Sequence, residues 1–520
     1  MNLGSTNGAL GSVVFDSSVS GHAFTFGGLA GSPLNALALQ DNAGNAVALT
    51  VGGNGENTTF HGALSAGGSL NKLGDGKLTL TGTNTYTGPT TVNAGTLQFA
   101  NSNAIYGGVT SNWTAENLSV ASGATVAFNV GGTNEFTSGS VSALLAGLST
   151  VNNNGLKAGS SIGFDTTNAA GGTFTIADNI SDSAGAGGGS VGLAKLGGNT
   201  LVLSGSNTYS GATAIAAGTL QFGKVSALYG GATSNWTAAN LNIASGATVA
   251  FNVGGTNEFT AGNVSALLTG LSTVNNNGLK AGSSIGFDTT NAAGGTFTIA
   301  NNISDSTGAG GGSVGLAKLG GNTLVLSGSN TYSGVTNVNA GTLNVSNQKA
   351  LENSTLNMNG GNLVFDSSVS GHAFTLGGLV ATSSSANIAL QDNAGNAAAL
   401  TVGNNNAHTN YAGDLSGSGS LIKTGSGTLF LSGVNTYTGT TTLSSGRLAL
   451  EGAETVGTSG PLGQSAANNP GSIVLNGGWL VYTSLSTGTQ PDATSPSGFS
   501  PVYANANDYS GRFSIAPNQQ

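Results

Sequence analysis

Two of the four histidines stand in the same words: His22 and His372 each close the stretch FDSSVSGH, six residues after Asp16 and Asp366. A hydroxyl nucleophile needs a base within hydrogen-bond reach and a carboxylate to orient that base. Serine is so abundant here that such a set can always be drawn on paper, and the reading taken is a histidine on a strand face. Acid/base hydrolysis of sugars needs two carboxylates that converge. The twenty acidic residues are spread thinly over 520 positions. The closest pair of aspartates, Asp178 and Asp182, returns later as Asn301 and Asp305, and its spacing does not converge by itself, so no catalytic residue is assigned. His61 and His408 lie in unlike surroundings, no two histidines have metal-ligand spacing, and there is no cysteine, so no metal site is assigned. Gly187 to Gly192 and Gly310 to Gly315 match G-x-G-x-x-G, but neither opens a helix pattern or is followed by the needed acid, and no cofactor is expected. Gly74-Asp75-Gly76 has the look of a calcium-binding turn, which would need an Asp in every coil.

The most regular chemistry is aromatic. Tyr86, Tyr209, Tyr332 and Tyr437 each follow an Asn by two and precede a Gly by two: Asn84 and Gly88, Asn207 and Gly211, Asn330 and Gly334, Asn435 and Gly439. Exposed tyrosines in a row would touch glycans. The reading favoured is structural, a tyrosine folded over a chain corner with its hydroxyl on backbone and the Asn bonding at the same turn. Each triplet sits in a thirty-residue stretch, first Leu70 to Phe99, LNKLGDGKLTLTGTNTYTGPTTVNAGTLQF, then from Leu193, Leu316 and Leu421. Leu78/Leu80, Thr90/Val92 and Leu97/Phe99 alternate with outward residues, and Gly and Asn fill the gaps. That is the signature of short strands between tight corners. Leu78 and Leu97 lie 19 positions apart, which suits a coil of about 20 residues stacking on itself. Lys72, Lys195, Lys318 and Lys423, at the head of each stretch, are read as marking solvent.

Composition agrees with a repeat array. Gly is 89 of 520, charged residues are 6% and net charge is −9, against about 25% charge in ordinary soluble domains. No basic run exists, which argues against nucleic acid or an anionic membrane as partner. Val14 to Gly88 returns as Val364 to Gly439, and Trp113 to Leu220 returns 123 positions on as Trp236 to Leu343. The chain therefore divides into units A (1–105), B (106–228), B′ (229–351) and A′ (352–450), then a proline-containing continuation (451–520). Further strands are expected at Ser12–Asp16, His22–Phe26, Leu37–Leu39, Ala46–Val51, Asn117–Val120, Thr125–Val130, Ser161–Phe164, Thr173–Ile176, Ser472–Leu475 and Trp479–Thr483. Val141 to Leu148 fits a helix or a buried strand, within a decoration over 131–159 and, by duplication, 254–282. Ser183 to Ser190, SAGAGGGS, suits disorder, and Thr487 to Pro501 an excursion. With no signal peptide and a start inside a repeat unit, the chain reads as part of a longer protein.

The four stretches resemble the autotransporter-associated β-strand repeat, also called the passenger-associated transport repeat. The match is Lys, a Gly-rich turn, Leu-x-Leu-(Ser/Thr)-Gly-x-Asn-Thr-Tyr-(Thr/Ser)-Gly, then Gly-x-Leu at fixed distance. The resemblance implies an all-β, right-handed parallel β-helix passenger with a few loop or short-helix excursions. It implies type V secretion through an outer-membrane translocator to the cell surface or medium, and a role in adhesion. The expectation is a non-enzymatic rod on the order of 100 Å long, with a glycan or protein as surface ligand. A carbohydrate-active β-helix enzyme and a fibre formed by end-to-end self-association are the alternatives.

Overall fold

The computed structural model describes residues 2–3, 13–149, 153–272, 276–451, 458–464, 472–482 and 513–515. The first thirty-residue stretch shows how the fold is made. It holds strands Ser69–Lys72, Lys77–Leu80, Thr90–Val92 and Thr96–Phe99. Leu78 pairs in parallel with Leu97, and Leu70 with Thr90. A parallel pair needs a crossover, and here the crossover is the rest of one coil. Inward positions Leu70, Leu78, Leu80, Val92, Leu97 and Phe99 are all buried. The stretch is thus one and a half turns of a parallel β-helix.

The chain divides into two compact units, residues 1–249 and 250–520. In the first, one sheet stacks Thr58–Phe60, Lys77–Leu80, Thr96–Phe99, Thr125–Asn129, Ser161–Asp165, Gly192–Leu196, Thr213–Ile215 and Leu241–Ile243 in chain order. A second stacks Ala23–Phe26, Ala48–Val51, Ser69–Lys72, Thr90–Val92 and Leu118–Val120. In the second unit, one sheet holds ten strands from Ser284–Asp288 to Phe513–Ile515, and four-stranded sheets start at Thr296–Ile299 and Thr409–Tyr411. Phe99 stacks on Phe128 with ring centroids 5.8 Å apart, so the interior is continuous from coil to coil.

The sequence does not reveal a change of face. Head strand Ser69–Lys72 lies in the second sheet of its unit, whereas its counterpart Gly192–Leu196 lies in the first, on Ser161–Asp165. Between them Thr173–Ile176 founds a new sheet with Thr200–Leu203 and Thr219–Phe222. The helix α1, Ser138–Leu148, contains the ambiguous segment and packs against Thr173–Ile176. It covers what would be a bare sheet edge. Thr137 caps α1 by accepting from Ser140 N at 3.2 Å, and Val141, Leu144 and Leu148 point inward. The duplicate α2, Ala261–Leu271, packs likewise against Thr296–Ile299, with Thr260 and Asn263 capping each other.

Other expectations need correction. At 12–16 only Phe15 pairs, in an isolated bridge to Asp41; residue 12 is outside the described residues, as is Thr487 to Pro501. Ser183 to Ser190 is a bonded turn: Ser183 N donates to Gly189 O, and Gly187 O accepts from Ala158 N. The bond from Ala158, with that of Ala184 N to Ser149 O, ties the loop to chain about thirty positions away, which local composition could not show. The remaining expected strands form with shifts of one or two residues at their ends.

Candidate functional site

The Asn-Thr-Tyr corners lie inside the stack. Asn84 is fully buried, and its side chain bonds both neighbouring coils. Its Oδ1 accepts from Leu64 N at 2.8 Å and its Nδ2 donates to Ala104 O at 2.7 Å. Asn207 does the same with Ile180 N (2.9 Å) and Ala227 O (2.8 Å). Asn330 takes Ile303 N (2.8 Å) and Ala350 O (2.9 Å), and Asn435 takes Leu415 N (2.7 Å) and Pro461 O (2.9 Å). The bonds therefore run between coils rather than within the turn. Each amide satisfies one main-chain donor and one acceptor that a corner would otherwise leave bare.

The tyrosines are equally hidden. The hydroxyls of Tyr86, Tyr209 and Tyr332 reach a threonine four residues on rather than the backbone, Thr90 (2.5 Å), Thr213 (2.7 Å) and Thr336 (2.6 Å), and Tyr437 reaches Thr441 (2.5 Å) in the same way. In the first two copies a second tyrosine joins, Tyr106 or Tyr229, whose oxygen lies 2.9 Å from the same threonine. In the third, Ser354 Oγ takes that place at 2.7 Å from Thr336 Oγ1. Burial pushes the phenols up, Tyr106 and Tyr229 to about 12, and Tyr86, Tyr209 and Tyr332 further. The glycines let the coils close: a Cβ at Gly88 would stand 2.4 Å from Gly68 O, at Gly211 2.5 Å from Val191 O, at Gly334 2.4 Å from Val314 O and at Gly439 2.1 Å from Gly419 O. No tyrosine of the four is available to a glycan.

The head lysines do not mark solvent. Lys72, Lys195, Lys318 and Lys423 are at most 1% exposed. Lys72 shares the inward parity of Leu70, and its Nζ donates to Leu73 O (2.7 Å), Gly74 O (2.8 Å) and Ala94 O (3.3 Å). Burial lowers the pKa of all four, to about 8 at Lys195, Lys318 and Lys423.

The groups that suggested catalysis are taken up in ion pairs and hydrogen bonds. His22 and His372 sit beside Asp41 and Asp392, Nδ1 to Oδ2 2.7 and 2.8 Å, not beside Asp16 and Asp366. Asp41 is buried, which raises its pKa. Bonds from the Asn45 side chain and from Asn45 N and Ala43 N, with His22 adjacent, more than offset this and hold it below the usual value. Asp16 accepts instead from Ser18 N at 2.8 Å. Asp178 accepts from Ser142 Oγ (2.7 Å), while Asp182 accepts from Val191 N (2.9 Å) and Ser210 N (2.8 Å). Asp16 and Asp41 tie down their own turns, whereas Asp178 and Asp182 also tie their loop to helix α1 and to Ser210. Among the described residues no three metal-ligating side chains gather.

Comparison with known proteins agrees with this geometry. The passenger-associated-transport-repeat family model matches residues 70–99, 193–222, 316–345 and 421–450, the four stretches built above. The chain is 30% identical over 535 residues to a curated protein of Brucella suis biovar 1 (strain 1330), "Adhesin BmaC autotransporter". The alignment covers 87% of this chain and 15% of that protein, so the chain spans a small fraction of its relative's length. No solved structure matches.

Proposed function

We propose, from the premise that this chain carries four passenger-associated transport repeats, that it is a stretch of an autotransporter passenger. In this reading it is a rod-like, non-enzymatic stalk or adhesin, displayed at the bacterial surface or released from it. The observation that carries the reading is the inward turn of Asn84, Asn207, Asn330 and Asn435, each bonded to the coil before and the coil after. What the motif repeats most strictly is spent on stacking, not on a reactive surface. The carboxylates Asp16, Asp41, Asp178 and Asp182, each already accepting hydrogen bonds from neighbouring chain, favour the same reading over a sugar-cleaving enzyme. A glycan or host protein would bind outward faces or the decorations, and an outer-membrane translocator would supply export. Likeness to a named adhesin supports surface contact as the role.

The test is display by intact cells. The full-length protein lacking residues 193–222 is compared with the unaltered one by surface antibody labelling at equal expression. A several-fold fall in display, with loss of attachment to immobilised glycans and matrix proteins, is expected. Unchanged display and attachment would contradict the reading.

A further inference from the structure

We propose that the head of every repeat is a monovalent-cation cage made of main-chain oxygen, shared between two coils, which the lysine fills as a tethered cation. The same arrangement recurs four times. Two carbonyls come from the turn just after the lysine and the third from 22 residues on, in the next coil. Lys195 Nζ donates to Leu196 O (2.7 Å), Gly197 O (2.7 Å) and Ala217 O (3.1 Å). Lys318 Nζ donates to Leu319 O (2.7 Å), Gly320 O (2.7 Å) and Ala340 O (3.0 Å). Lys423 Nζ donates to Thr424 O, Gly425 O (3.0 Å) and Ser445 O (3.5 Å). An ammonium has three N–H donors on a compact charge, so donors and oxygens match one to one. No carboxylate bonds these four ammoniums among the described residues.

The surrounding backbone is shaped for this. Carbonyl oxygens that converge from two stacked turns repel one another, and a cation between them turns that repulsion into attraction, as in filters where carbonyls replace an ion's water. The turns also approach too closely for side chains. A Cβ at Gly95 would lie 2.4 Å from Gly74 O, one at Gly218 2.6 Å from Gly197 O, and one at Gly446 2.2 Å from Gly425 O and 2.9 Å from Lys423 Nζ. All three glycines have φ between 63° and 67°, where other residues are strained. The Gly-rich turn is thus the wall of the cage, and the lysine joins each coil to the next through the three hydrogen bonds of its ammonium.

The proposal separates charge from filling. Lys195→Ala opens the cage, and Lys195→Met fills it without charge. Thermal unfolding of the whole chain is followed at constant ionic strength in choline, sodium, potassium or ammonium chloride. Ammonium, and potassium to a smaller extent, should raise the melting temperature of Lys195→Ala saturably by several degrees. The unaltered chain and Lys195→Met should not respond. No rise in Lys195→Ala beyond that in choline or sodium, or an equal rise in Lys195→Met, overturns the proposal. Should Lys195→Ala not fold, competitive acylation of the unaltered chain at pH 7 decides. Lys72, Lys195, Lys318 and Lys423 should react at least ten-fold more slowly than exposed Lys77 and Lys349, and equal reaction overturns it.

Discussion

At the scale of single residues, the corner asparagine is the most exacting position. Asn207→Ala leaves Ile180 N–H and Ala227 C=O buried without a partner. At about 1–3 kcal/mol for each such group, the loss should be about 2–6 kcal/mol, read from urea midpoints. Tyr209→Phe should lose only about 1 kcal/mol, because Thr213 keeps the Tyr229 hydroxyl. The lysines add a pH dependence whose sign runs against intuition. Their folded pKa of about 8 lies below the 10.5 of an ordinary lysine. Between these values the unfolded chain holds more protons, so these sites make stability rise with pH. Above 10 the buried tyrosines, raised when folded, pull the other way. Urea midpoints should therefore climb from pH 8 towards pH 10 and turn down above it, and Lys195→Met should flatten part of the climb. The asparagine and tyrosine spacing was plain in the sequence, but its cross-coil targets were not, since they lie 20 or more positions away. The lysine was misread because its charge outweighed the parity it shares with Leu70.

At the scale of elements, alternation was legible because one face of each strand is buried, and a slip of one residue would turn that face outward. The 19-residue return of Leu78 to Leu97 was legible for the same reason, and pairing places them side by side. Neither α1 nor the change of face could be read. Eight mostly apolar residues suit helix and strand alike, and the new sheet depends on where 106–191 rejoins the stack. Helix α1 is held by Leu144 and by close contact at Gly147, where a Cβ would stand 1.9 Å from Trp113 O. Leu144→Ala should destabilise by about 2–5 kcal/mol. Gly147→Ala should lift the helix, seen as faster amide exchange in Thr173–Ile176 beneath it.

At the scale of the whole molecule, duplication of long segments without a linker is how a stack lengthens, since each added coil needs only the one before it. In the reading proposed above, that architecture serves display, with the strictly repeated residues turned to the interior. Its central claim is parallel neighbours one coil apart. Ala194 and Ala214 test this, being in register on adjacent strands with side chains that are not buried. The natural chain has no cysteine, and adjacent strands lie about 4.8 Å apart, within disulfide reach. Mild oxidation of the double variant Ala194→Cys/Ala214→Cys should give an intrachain disulfide in high yield, while Ala194→Cys/Thr213→Cys, with its second site turned into the core, should give none. The reverse pattern, or no bond in either, would contradict the stacked coil.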